Sequence, residues 1–139
     1  MSSGALLVLF AHGSRDPNWR RPFENLKNLA LDDLGPGKVE LAYMEFQPPS
    51  LEEIAHKAWS EGIGHIRILP LFLAGGAHVA NDIPEQVQAV KQRLPDMVVD
   101  VLAPVGENPR FSSMLREITR EEGLRLEMES RRAMKELKV

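Results

Sequence analysis

The chain has no cysteine among its 139 residues, which excludes disulfides, thiolate metal sites and cysteine nucleophiles. Any metal must therefore be held by His, Asp, Glu or backbone oxygen. An excess of charge of one sign is lacking too. Seventeen basic against twenty acidic side chains leave a net charge of -3, and no nucleic-acid partner is indicated. No apolar run approaches the roughly 18 residues that span a bilayer, so no membrane partner is expected. The first residues lack a basic region followed by a cleavage site, and Leu6 to Phe10 is too short for a secretion signal. Neither a Walker loop nor Gly-x-Gly-x-x-Gly is present, which argues against a pure phosphate- or nucleotide-binding module. What remains is an ordinary globular composition, 43% hydrophobic and 27% charged, at a length that supports one domain with a real core. A soluble, cytoplasmic protein is the expectation.

Ala5-Leu6-Leu7-Val8-Leu9-Phe10-Ala11 is a continuous apolar run, the signature of a strand buried on both faces. His12-Gly13-Ser14-Arg15 follows as a loop, and Asp16-Pro17 caps and opens a helix. Phe23, Leu26, Ala30 and Leu34 recur on it at helical spacing, and Gly35-Pro36-Gly37 stops it. Val39 to Met44 reads as a second strand, ending at Glu45, since Gln47-Pro48-Pro49 cannot continue it. Ser50-Leu51-Glu52-Glu53 supplies a capping box, and Leu51, Ile54, Ala55, Ala58 and Trp59 form one apolar stripe. Ile66 to Phe72 is the third strand. Asn81 or Asp82 caps the next helix, with Pro84 in its first turn and Ile83, Val87, Val90 and Leu94 on its buried face. Met97 to Ala103 makes a fourth strand. From Arg110 the chain is helical in character, interrupted at Gly123. Residues 1–122 are read as a single α/β domain and residues 123–139 as a charged helical extension.

Strand and helix alternate four times, with short connections, as in doubly wound α/β proteins. Right-handed crossovers put helices on both faces of a four-stranded parallel sheet, in the flavodoxin-like order 2-1-3-4. The switch point then lies between strands 1 and 3, and ligands bind there, beyond the carboxyl ends of the strands. His12 follows strand 1 directly and His78 lies in the loop after strand 3, so both flank that point. Glu45, ending strand 2, is on the same side, as a ligand, a base or only an acceptor of backbone hydrogen bonds. His65 precedes strand 3 at the opposite edge, and His56 falls off the apolar stripe of its helix. Gly75 and Gly76 remove side chains where a ligand or another backbone must come close. Ser14 and Asp16 suit helix entry, and Arg15 is placed to meet an anionic ligand. Two imidazoles and a carboxylate suit a first-row divalent ion and leave coordination positions open, as a metal that is handed on requires.

Ala11-His12-Gly13-Ser14-Arg15-Asp16-Pro17, Leu41-Ala42-Tyr43-Met44-Glu45 with Pro49-Ser50, and Leu69 to Val79 with Asp82-Ile83-Pro84 occur in order, and together they resemble the short-form sirohydrochlorin cobaltochelatases. These are class II tetrapyrrole chelatases, which insert a divalent metal without ATP. The resemblance spans roughly residues 5 to 110. It implies that His12 and His78 bind the incoming metal, with Glu45 beside them as ligand or proton acceptor. The substrates implied are sirohydrochlorin and Co2+, with Fe2+ or Ni2+ as alternatives, no organic cofactor, and a product used in cobalamin or sirohaem biosynthesis. A flat macrocycle with eight carboxylates would lie on Gly75, Gly76 and Ala77, bordered by Phe72 and Leu73, with Ser14 and Arg15 at its rim. Many relatives carry Gly-x-His-Pro after strand 4. Here Asn108 stands in Gly106-Glu107-Asn108-Pro109, which removes a third histidine. Short forms are expected to pair as homodimers, and the C-terminal segment is a candidate for that contact. Two rivals remain. A histidine phosphatase requires an arginine immediately before its histidine, where this chain has Ala11. A non-catalytic metal or tetrapyrrole carrier would use the same two histidines without turnover.

Overall fold

The computed structural model describes residues 4–73 and 77–137, with residues 77–80 placed by their backbone alone. Its elements run β1 (Gly4–Ala11), α1 (Pro17–Leu34), β2 (Val39–Tyr43), α2 (Leu51–Ser60), β3 (Ile63–Pro70), α3 (Ala77–Arg93), β4 (Val98–Val101) and α4 (Pro109–Leu137). The four strands form one parallel sheet in the order β2-β1-β3-β4, as the alternating pattern predicts. The chain divides into two compact units, Met1–Val105 with the sheet and Gly106–Val139 with α4.

The apolar run of β1 is buried on both faces because consecutive residues serve different layers. Leu6, Val8 and Phe10 pack with Leu51, Ile54, Ala55 and Ala58 of α2 and Ile83, Val87 and Val90 of α3. Leu9 and Ala11 point the other way, to Trp19, Phe23, Ala30 and Leu31 of α1. Removing the eight-residue strand's apolar side chains from water on two sides stabilises the fold more than any helix propensity does. Tyr43 of β2 joins the α1 layer, its ring 6.4 Å from Trp19. Burial pushes its hydroxyl pKa up, and the Glu24 carboxylate adds to the rise against the opposing charge of Arg20.

Four local expectations shift. On α1 the stripe uses Trp19 and Leu31 beside Phe23 and Ala30, while Leu26 and Leu34 are exposed. Lys27 occupies the intervening place and reaches Glu40 of β2 at 3.3 Å. β3 begins at Ile63 rather than Ile66, because Gly4 of β1 offers Ile63 a partner. α3 begins at Ala77 rather than after Asn81 or Asp82, so Pro84 lies within the helix and His78 on its first turn instead of in a loop. α4 is continuous through Gly123. A Cβ at Gly123 would meet nothing nearby, and one glycine costs an exposed helix only about 1 kcal/mol, too little to interrupt 29 residues.

At the amino end of the sheet, His65 stands within β3, its Nε2 2.6 Å from Asp100 Oδ2 on β4. The Arg67 Nη2–H donates to the same oxygen at 3.0 Å. These two hydrogen bonds, His65 first, hold the Asp100 carboxyl below its ordinary pKa. A carboxylate depressed in the folded state stabilises it fully above the unfolded pKa, and the benefit disappears as pH falls through the folded value. Asp100→Asn should therefore lower the urea midpoint at pH 7, and the gap to the parent should close below about pH 4, as denaturation at stepped pH would show.

Candidate active site

Parallel pairing of β1 and β2 ends formally at Ala11 opposite Tyr43, yet the ladder continues. The Met44 N–H donates to the Ala11 carbonyl at 2.8 Å, and the Glu45 N–H donates to the His12 carbonyl at 3.1 Å. Those bonds continue the backbone contact past both strand ends, so His12 and Glu45 leave the sheet side by side. His12 Nε2 lies 2.7 Å from Glu45 Oε1, with the two side chains 39% and 37% exposed. The contact is close enough for proton exchange and open enough for a ligand to reach.

The two loops touch because Gly13 has no side chain. It sits at φ +101°, and a Cβ there would collide with the Glu45 carbonyl. After it, the Ser14 N–H donates to Gln47 Oε1 at 3.0 Å, and Ser14 Oγ accepts from the Asp16 N–H at 3.1 Å. Asp16 caps α1 by accepting from the Asn18 N–H. On the other side, the Gln86 amide of α3 donates to the Met44 carbonyl at 3.0 Å. The helix that carries His78 is thereby tied to the same turn that presents Glu45.

The His12 imidazole has aromatic rings beside it as well as the carboxylate. Phe72 meets it edge-on with centroids 6.2 Å apart, and Phe72 in turn meets Phe10 edge-on at 6.2 Å. Phe46 lies nearly parallel to the imidazole at 6.4 Å, and the Arg15 guanidinium carbon stands 5.2 Å from the Phe46 centroid. Phe46 has φ +71°, an outlier for a bulky residue that costs about 1–2 kcal/mol, while more than half of its surface stays exposed. The neighbouring Gln47 Nε2 is buried without a hydrogen-bond partner among the described residues.

Among the residues singled out in the sequence, His12, Glu45, Ser14 and Arg15 come together at one end of the sheet. Phe72 is buried beneath His12, and Leu73 is largely exposed. Gly75 and Gly76 lie outside the described residues, as do the side chains of Ala77 and His78. His65 is at the far end of the sheet, and His56 is exposed with its Nδ1 on the Glu52 carbonyl. Among the described residues, no three His, Asp or Glu groups converge as a closed metal cage. Phe46, Gln47 and Gln86 were not foreseen. An aromatic residue set directly after the strand-ending Glu45, in a Pro-rich turn, was the available signal for the first.

Residues 6–122 match the CbiX family. The sirohydrochlorin cobaltochelatase of Sulfurisphaera tokodaii is 34% identical over 116 residues, which is 82% of this chain and 88% of that protein. The sirohydrochlorin cobaltochelatase of Methanopyrus kandleri is 35% identical over 82 residues, and the match covers 57% of its length. Among solved structures, one from Marinobacter aquaeolei VT8, whose name places it with CbiX proteins of cobalamin (vitamin B12) biosynthesis, superposes with a TM-score of 0.76 at 31% identity. It covers 90% of this chain and 99% of that one.

Gly13→Ala forces either the Cβ or the Glu45 carbonyl to move and strains the backbone as well. It should lower stability by about 2 kcal/mol or more, read as a melting-temperature drop of several degrees.

Proposed function

Because the chain belongs to the CbiX family, we propose that it inserts a divalent metal ion into sirohydrochlorin without ATP, as a lyase-type metal chelatase. The observation that carries this is the 2.7 Å contact of His12 with Glu45 at the carboxyl end of β1 and β2, with the helix bearing His78 beginning just beyond β3. Cobalt is the favoured ion, since the two named relatives are cobaltochelatases. Fe2+ and Ni2+ satisfy the same imidazole and carboxylate ligands.

In this reading His12 and His78 receive the ion, and Glu45 serves His12. With Nε2 protonated, the imidazole donates to the carboxylate, which fixes the ring and its tautomer. The ion then binds the other ring nitrogen, Nδ1, and the carboxylate stays free to take a proton from the macrocycle. Two protons must leave the macrocycle nitrogens as the metal enters. Glu45 accepts one, and His12 accepts the other once the ion has left it. Two imidazoles and one carboxylate do not fill the ion's coordination sphere, so ring nitrogens can bind before the protein lets go. The floor of the macrocycle is assigned to Gly75, Gly76 and Ala77, with Leu73 at the border and Phe72 supporting His12 from below. Ser14 and Arg15 meet its carboxylates, Arg15 by charge-assisted hydrogen bonds.

We further propose that residues 1–122 are the chelatase domain, which the end of the family match at residue 122 supports, and that 123–139 is an extension. A cytoplasmic homodimer is proposed as well, and the exposed Leu126, Met128, Met134 and Leu137 of α4 support a role for that helix in pairing. The product would serve cobalamin or sirohaem biosynthesis.

Anaerobic incubation with sirohydrochlorin and Co2+, Fe2+ or Ni2+ in turn, followed by absorbance, tests the reaction. The parent should metallate the ring catalytically, and His12→Ala combined with His78→Ala should abolish this. Glu45→Gln should lower the rate about a hundredfold. Stoichiometric binding without release of metallated product would instead establish a carrier, and undiminished insertion by the double variant would refute the assignment of the histidines.

A further inference from the structure

Phe46 is the residue whose geometry the metal chemistry leaves unexplained. Glycine or asparagine is the usual choice at φ near +70°, yet the chain places a phenylalanine there. The ring is not used for the core, because 55% of it is exposed. It stands nearly parallel to the His12 imidazole, 23° between planes, beside the part-exposed pair of His12 and Glu45. Over it lies the Arg15 guanidinium, and among the described residues no carboxylate pairs with that cation. A strained backbone, an exposed aromatic face and a cation with no carboxylate partner among the described residues therefore coincide beside the metal-binding imidazole.

We propose that Phe46 is the stacking surface for the planar face of the tetrapyrrole, and that Arg15 covers that face until a peripheral carboxylate of the ligand draws it away. This deepens the chelatase reading and rests on it for the identity of the ligand. The two partners of Phe46 match the two chemistries of such a ligand. The conjugated plane can replace the guanidinium over the ring, since a cation over an aromatic face in water is a weak contact. The displaced guanidinium then gains a carboxylate, a stronger charge-assisted partner. Phe46 thus selects for flat ligands. It takes no part in proton transfer and does not bind the ion.

A purely structural Phe46 predicts that its loss lowers stability. The stacking role predicts the reverse, because removing the side chain relieves the left-handed backbone. The experiment uses the full chain and titrates sirohydrochlorin without metal, by absorbance, against the parent, Phe46→Leu, Phe46→Tyr and Phe46→Gly. Phe46→Leu and Phe46→Gly should weaken tetrapyrrole binding about tenfold, from the usual worth of stacking a flat ring on an aromatic side chain. Phe46→Tyr should stay within about twofold of the parent, because it keeps the aromatic face. Phe46→Gly should melt at or above the parent temperature, and calorimetric Co2+ binding should be unchanged in all three. Sirohydrochlorin affinity unchanged in Phe46→Leu, or a lowered melting temperature in Phe46→Gly together with unchanged affinity, would overturn the stacking role. A parent that binds the tetrapyrrole but never metallates it would overturn the chelatase reading and leave the stacking role standing. A parent that does not bind it would overturn both.

Discussion

Two backbone hydrogen bonds, from Met44 to Ala11 and from Glu45 to His12, set the geometry on which the candidate chemistry depends. They extend a β-ladder into what would otherwise be two independent loops. Side chains at the ends of neighbouring parallel strands ordinarily diverge as the chains turn into their helices. Here the pairing runs one residue past β1 and two past β2, so a histidine and a carboxylate emerge beside each other. That pairing requires the loops to touch, and the contact requires a residue without a Cβ at position 13. The candidate pair is thereby placed by main-chain pairing, and its side chains need only be the right types. Such positioning loses little entropy on ligand binding, since the backbone that holds the pair is already part of the sheet.

Around that pair the structure divides labour between rigid and yielding parts. Phe10 and Phe72 back His12 from the core, and Ser14 and Gln47 tie the first loop to the second. Gln86 ties α3 to the same turn through the Met44 carbonyl. On the solvent side stand Phe46 and Arg15, in a weak contact with each other, with Phe46 also beside the His12 imidazole. A handed-on metal needs this asymmetry. The ligands must be fixed well enough to select an ion, while the face toward the receiving ring must open without disturbing them.

Much of this was legible in the sequence because it depends on period and punctuation. The run from Ala5 to Ala11 could only be a doubly buried strand, and the alternation of strands with helices fixed the sheet order. From that order alone His12 and Glu45 fall on one edge and His65 on the other, as the structure places them. Less was legible where two signals compete. Asn81 and Asp82 carry the chemistry of a helix cap, yet α3 starts at Ala77 and passes through them. Gly123 has the look of a stop, yet the helix around it is exposed and loses little by including it. On α1 the stripe was off by part of a turn, because Lys27 takes an inward place that an apolar count skips. Phe46 was invisible for a different reason. Its importance lies in a backbone angle and a neighbouring imidazole, and neither leaves a trace in spacing.

The uneven covering of the sheet has a dynamic consequence. β1 pairs on both sides and is sealed above and below, whereas β4 contributes four residues to one neighbour and leaves Val98 and Val101 54% and 43% exposed. Local opening follows the apolar contact and pairing that must be broken. Amide hydrogens of β4 will exchange with solvent through small excursions that leave β1 and β2 closed, while those of β1 will wait for global unfolding. The strands that present His12 and Glu45 are therefore among the last to open. The candidate pair thus sits on the slowest-breathing side of the sheet, away from the edge that frays.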